Sequence, residues 1–272
     1  MLVTVLRRTA WCLLVSLLLA DIARADSAPI VFYSTETPPF WLVSLPDGGS
    51  GGRILRLMSE AAGVAYRMEY LPMKRFRDSA APFMVGTPDL LTSQNRRAVF
   101  PIGMFSAALF SYKPRIDVSH FHGIADLRLH TLGVLRGTLE NKDYFVKNSV
   151  RIEESDSVDS LIRKLKMGRI DFCIMVAATG RHTISQLFPQ EQDNFALAAL
   201  PGSERPLAIM IDTDTPSGKE VAARYRQVLA KVLRSQAYRD ILEQDFKALN
   251  TTEYQLGRLD KFIQVYESTW GD

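Results

Sequence analysis

The segment from Thr131 to Val176 restricts the choice of fold more than any other part of the chain. Thr131-Leu132-Gly133-Val134-Leu135 is short, apolar and rich in β-formers, and reads as a strand. Arg136-Gly137-Thr138 follows and is expected to open a helix. Val158 to Met167 carries apolar residues at helical spacing and is closed by Gly168-Arg169-Ile170-Asp171, which leads into a second strand from Phe172 to Val176. A strand, a Gly-Thr turn and a helix start bring unpaired backbone N–H groups and a hydroxyl to one spot, which suits an anionic group. An ordinary helix start is the plainer reading of the same Gly137-Thr138 pair.

The upstream half repeats the strand–helix–strand order. Ile30 to Ser34 reads as a first strand, and Asp47-Gly48-Gly49-Ser50-Gly51-Gly52 as a mobile turn. Ile54, Leu57, Met58 and Ala61 share one helix face, Gly63 stops that helix, and Val64 to Leu71 alternates as a strand. Such β-α-β order implies a parallel sheet with a right-handed crossover. Leu109 to Lys113 reads as another strand and Glu204 to Ile211 as a return strand. Helices over 217–233 and 236–249 follow. The layout predicts an α/β protein of two lobes joined by a pair of crossing strands. Lobe 1 is residues 28–113 plus 204–250, and lobe 2 is 114–203. A single doubly wound sheet is the alternative. Residues 251–272 place Leu256, Leu259, Phe262, Ile263 and Tyr266 at helical spacing, as a last helix packed on the body or one that docks a partner.

Residues 1–25 have the character of a signal peptide. Arg7 and Arg8 form the positive end, Thr9 to Ala20 is mostly apolar, and Ala23-Arg24-Ala25 is a small-x-small cleavage pattern. Cleavage after Ala25 gives an exported, periplasmic protein; an uncleaved anchor is the alternative. The formal charge of +3 includes Arg7, Arg8 and Arg24 against Asp21 of the leader, so the mature chain is close to neutral and gives no case for nucleic acid. Cys12 leaves with the leader and Cys173 is left alone in a predicted buried strand, where it can staple nothing. The four histidines have no partners at ligand spacing, so neither metal nor cofactor is expected.

Several phrases in this order resemble an extracellular solute-binding protein of family 3, the periplasmic-binding-protein class II fold. Thr37-Pro38-Pro39-Phe40 resembles the family's first-strand exit. Asp126-Leu127, Leu132-Gly133-Val134 and Arg136-Gly137-Thr138 resemble its way into the second lobe, and Leu161 to Leu165 with Gly168-Arg169-Ile170-Asp171 its "helix, Gly-x-x-Asp, strand" signature. The resemblance covers about Ile30 to Phe246. It implies a ligand cleft between two lobes and two hinge strands, and a monomer that closes on a small solute. Membrane permeases of ABC transporters, or sensors, are the partners it implies.

The resemblance also implies site residues. An arginine in a Thr-x-x-Arg setting before a Phe would hold a ligand carboxylate, and Thr92-Ser93-Gln94-Asn95-Arg96-Arg97-Ala98-Val99-Phe100 is the matching stretch. The spacing from Asp89 is shorter than in the family, so Arg96 and Arg97 compete for that role, for which a guanidinium fork suits a carboxylate with two parallel hydrogen bonds; a surface pair is the other reading. Gly137 and Thr138 would complete the anion site from lobe 2. Amino-acid binders commonly place an acid where this chain has Val176, so a buried ligand ammonium would go uncompensated unless Glu36 substitutes. A small polar or anionic solute without an ammonium there is therefore the expectation. Phe40 and Trp41 are stacking walls or plain core. Arg75, in Leu71-Pro72-Met73-Lys74-Arg75, faces the cleft or solvent.

Catalysis has little support, and the chain is read as a non-enzyme. Glu36, Glu140, Glu153 and Glu154 stand near predicted cleft edges, and none belongs to a catalytic motif. A dehydratase-like enzyme on the same fold, and a signalling or accessory protein that docks through 251–272, are the alternatives.

Overall fold

Among the described residues ten strands form two separate five-stranded mixed sheets, and each sheet is covered on both faces. The computed structural model describes residues 28–92, 96–139 and 141–247. The leader, the stretch 93–95, Glu140 and the proposed tail helix at 251–272 lie outside the described residues. Among the described residues no helix is long and apolar enough to cross a membrane.

The first sheet has the order β2-β1-β3-β10-β4. It comprises β1 (Ile30–Ser34), β2 (Tyr66–Tyr70), β3 (Phe83–Gly86), β4 (Arg97–Phe105) and β10 (Arg205–Asp212). β1 runs parallel to β2 and β3, and β10 runs antiparallel to β3 and β4. The period of two along β10 shows why the sheet needs cover on both sides. Leu207, Ile209 and Ile211 enter the core under α1 (Gly49–Ala62), α6 (Pro216–Leu233) and α7 (Gln236–Lys247), while Ala208 and Met210 meet Phe76 and Met84 on the other face. The hydroxyl pair Ser59–Tyr225, 2.6 Å apart and buried, ties α1 to α6. Gly63 ends α1 at φ 64°, a left-handed cap that glycine adopts without strain.

The second sheet has the order β7-β6-β8-β5-β9. It comprises β5 (Ala107–Tyr112), β6 (Thr131–Leu135), β7 (Arg151–Ser155), β8 (Phe172–Val176) and β9 (Phe195–Ala199). Cys173 and Met175 of β8 face the core under α4 (Val158–Lys166) and α5 (Ala177–Leu187); Phe172 faces the opposite core with Leu132, Val134 and Val150. Ser157 caps α4 by accepting a hydrogen bond from the Ser160 N–H at 3.2 Å. Asp171, the aspartate of the Gly-x-x-Asp phrase, accepts from the Thr131 N–H at 2.8 Å and so ties the base of β8 to that of β6.

Three expectations change. The strand at Ala107–Tyr112 pairs with β8 and β9, so it belongs to the second sheet and the crossing falls at Ser106, not after Lys113. The glycine-rich 49–52 stretch is a buried helix start, with Gly51 against the Trp41 ring, where a Cβ would lie 2.7 Å from Cζ2. Arg136-Gly137-Thr138 is a turn. The helix after it, α3 (Lys142–Lys147), begins only at Lys142 under an Asn141 cap, because the Asn141 side chain accepts the Tyr144 N–H. A five-residue helix, α2 (Met73–Arg77), follows β2.

Candidate functional site

Two chain crossings join the sheets, one at Ser106 and one from Leu200 to Glu204, so the ends of the strands on either side face each other. Ser203 staples the crossings together: its Oγ accepts the Ala107 N–H at 3.0 Å and donates to the Leu200 carbonyl at 2.6 Å. Between the lobes lies a cavity of about 490 Å³. Lobe 1 lines it with the carboxyl ends of β1, β3 and β4 and the start of β10; lobe 2 lines it with the carboxyl ends of β6 and β8 and the start of β5 and α5. Crevices outside carboxyl strand ends are where open α/β sheets hold ligands.

The lining is mainly apolar. Met73, Phe76, Phe105 and Leu207 come from lobe 1, and Val134, Ile174, Val176 and Phe145 from lobe 2. Threonine hydroxyls at 35, 37, 87, 138 and 179 and the Ser203 hydroxyl supply most of the polar groups. Among the described lining residues the only charges are Glu36, Asp89 and Arg205. Arg205 is committed: its Nε pairs with Asp89 at 3.0 Å, and Nη1 donates to the Gly202 and Glu204 carbonyls.

Hydrogen bonds cross from lobe to lobe beside this cavity. The Arg77 Nη1 donates to the Gly137 carbonyl at 3.1 Å, and the Thr179 hydroxyl donates to the Pro38 carbonyl. Ala178 of lobe 2 is buried in the core of lobe 1, and Val176 packs against it. The lobes are therefore in contact around the cavity.

The cavity opens toward two mouths of opposite charge. A space of about 410 Å³, sharing Leu139 and Asn141 with the cleft, is lined by Lys74, Arg77, Arg136 and Lys142 against Asp143 and Glu154. A larger one, of about 710 Å³, shares Glu36, Met73 and Val158 with the cleft and adds Asp156, Asp159 and His182. Tyr70 lines this second mouth; burial, and then the negative charges of Glu36 and Asp47 with Tyr66, push its phenol up to about 12. At the first mouth, the Lys142 hydrogen bond holds the Glu154 carboxyl below its ordinary value, and the Arg136 hydrogen bond does the same for Asp156 of the second mouth.

The residues singled out from sequence scatter. Glu36, Trp41, Thr138 and Val176 line the cleft. Gly137 lines the basic mouth and offers its carbonyl to Arg77. Phe40 is core, 3 % exposed, with its ring 6.4 Å from that of Phe105. Trp41 is 1 % exposed, and its indole N–H has no hydrogen-bond partner among the described residues. Arg75 is exposed and lines none of the three cavities. Thr92 is exposed and donates to the Arg77 carbonyl at 3.2 Å.

The arginine clamp is a correction. Arg96 and Arg97 sit at the start of β4, whose other end meets the cleft, about 26 Å away at ~3.3 Å per residue. Arg97 donates to the Ala81 carbonyl at 2.9 Å and lies in the field of Asp212; the Arg96 N–H donates to Asp214. Thr138 is also not an anion nest. Its N–H and its hydroxyl both donate to the Leu135 carbonyl, at 3.1 and 2.7 Å, and no helix starts there.

Sequence reasoning missed Arg77, Thr179 and the apolar lining. Arg77 lies in the Lys74-Arg75-Phe76-Arg77 run, where Phe76 is the buried position and its neighbour turns toward the other lobe. Burial pushes the Cys173 thiol far up, so it is inert. No group of three potential metal-binding side chains occurs among the described residues.

No protein-family model matches this sequence, and no curated protein does. Solved structures do match. An ancestral arginine-binding protein bound to arginine superposes with a TM-score of 0.63 at 15% identity, over 81% of this chain and 99% of that one. An amino-acid ABC-transporter substrate-binding protein from Streptococcus pneumoniae, bound to L-arginine, gives 0.62 at 16% identity over 84% and 98%. A histidine kinase sensor domain with similarity to periplasmic binding proteins gives 0.62 at 15% over 80% and 95%. The chain thus has the two-lobe periplasmic-binding-protein class II fold that its motifs resemble.

Proposed function

We propose that this protein is an exported solute-binding protein that closes its lobes on one small molecule with a largely apolar body, and presents it to a membrane permease or sensor. The observation that carries the reading is the interlobe cleft itself, whose apolar side chains from both lobes would be buried together by a ligand they share. Removing such surface from water favours the closed form by roughly 25 cal/mol per Å². The small polar or anionic solute expected from sequence has less support, because the two arginines that would hold it stand at the opposite end of β4.

A binder is favoured over an enzyme on the chemistry of the lining. Of the three charged groups there, two form an ion pair, and Glu36 alone is not a proton-transfer constellation. A panel of small apolar and amphipathic solutes, screened by thermal shift on the chain without residues 1–25 and followed by calorimetry, tests this. Binding by one class, abolished in Ile174→Trp, which fills the cleft, is the expected result. A ligand that binds the Ile174→Trp variant unchanged would place the site elsewhere.

A further inference from the structure

We propose that the basic mouth is the head-group subsite of this binder: it takes the anionic end of an amphipathic ligand whose apolar body fills the cleft. The inference rests on the cleft reading and adds the ligand's charge and orientation.

The charge balance at that mouth singles out two side chains. Arg136 and Lys142 are already matched, Arg136 to Asp156 at 2.6 Å and Glu154 at 3.1 Å, and Lys142 to Glu154 at 2.6 Å. Lys74 has no ion-pair partner among the described residues, and Arg77 has only the exposed Asp78 at 3.6 Å. These two project from α2, a helix whose Phe76 is locked in the lobe 1 core, so the backbone that carries them is fixed.

Position makes the surplus useful. The mouth adjoins the cleft at Leu139 and Asn141, which line both, so the end of a molecule lying in the cleft comes close to it. Lys74 and Arg77 come from lobe 1, and lobe 2 completes the mouth with Gly137 and with Arg136 and Lys142, whose charges are already matched. The Gly137 backbone approaches Lys74 closely, since a Cβ there would lie 3.8 Å from the Lys74 Cα. An anionic end held by Lys74 and Arg77 of lobe 1, on a body that touches both lobes, would bind the closed form preferentially, which is the condition for a ligand to drive closure. The acidic mouth, with Glu36 and Asp159, repels the same head group and so leaves the basic one as the place for it. A carboxylate, sulfonate or phosphate end would each meet this chemistry.

The experiment uses three probes with one apolar body and different ends: 4-phenylbutyrate, 4-phenylbutanol and 4-phenylbutylamine. Calorimetry on the chain without residues 1–25 should show the carboxylate binding about tenfold tighter than the alcohol at low salt, an advantage that shrinks at high ionic strength. In Lys74→Gln the carboxylate's advantage over the alcohol should be largely lost. If the alcohol binds as well as the carboxylate, or the amine binds best, the basic mouth is not the head-group subsite while the cleft stands. If none of the three binds, the cleft reading is overturned and this inference with it. A carboxylate preference that survives Lys74→Gln and Arg77→Gln together also overturns it.

Discussion

Thr179→Val removes one hydroxyl and should open the protein without unfolding either lobe. Thr179 is 3 % exposed, sits in the first turn of α5, and donates across the cleft to the Pro38 carbonyl. Valine keeps the shape and loses the donor, so in the closed form the half-buried Pro38 carbonyl goes without its partner. A buried group left so costs about 1–3 kcal/mol, and partial exposure of this carbonyl places the effect near the lower end, at about 1.4 kcal/mol. In the open form both groups meet water and nothing is lost. The closed-to-open ratio should therefore drop about tenfold. Dyes at Lys219→Cys and Met167→Cys, exposed positions on lobe 1 and lobe 2, report the interlobe distance by single-molecule energy transfer. The buried Cys173 does not compete for label. The result expected is a shift of the ligand-free distribution to longer distance together with weaker ligand binding. Weaker binding with an unchanged distribution would mean that Thr179 touches the ligand and is not a latch, which refutes the reasoning.

Two further outcomes follow from packing and charge. Gly180→Ala places a Cβ 2.3 Å from Cζ of the buried Phe110 ring; overpacking of about 1–3 kcal/mol, offset by about 1 kcal/mol of helix propensity, should lower the melting temperature by several degrees, and a rise would contradict the packing of α5 on β5. Glu154 titrates below its ordinary value, so its contribution is present above the unfolded value of about 4.3 and is lost as pH falls through the folded one. Melting curves of the wild type and Glu154→Gln should differ at neutral pH, by no more than about 1 kcal/mol for a pair with Lys142 half exposed, and should converge as pH falls through the lowered folded-state value.

Local patterns in this chain reveal elements well and their spatial partners poorly. Ile30–Ser34, the Gly63 stop and the helix that begins at Val158 are each written in adjacent residues, and the structure places them as read. The strand expected at Leu109 to Lys113 exists, at Ala107–Tyr112, but nothing in an apolar run states which sheet it joins, and it belongs to lobe 2. The Thr-x-x-Arg likeness failed for a related reason: its meaning depends on where β4 starts relative to the cleft, and antiparallel pairing with β10 carries that start to the far edge. The cleft was least legible because its walls are single residues from the ends of many strands. Val134, Ile174 and Leu207 are ordinary β residues in sequence, and only the opposed sheets make them a ligand wall.

The register of β4 and β10 has a consequence for how the molecule can be taken apart. Phe105 and Arg205 stand opposite each other as paired neighbours, so everything from Ser106 to Glu204 leaves and returns through adjacent backbone positions. The intervening half is an insert in a hairpin, and a two-residue turn joining Phe105 to Arg205 would close lobe 1 into an uninterrupted sheet. Such a minimal polypeptide would retain the Phe32, Ile54 and Tyr225 core but none of the opposite wall. Comparing it with the intact protein would separate what the first sheet recognises unaided from what demands both jaws.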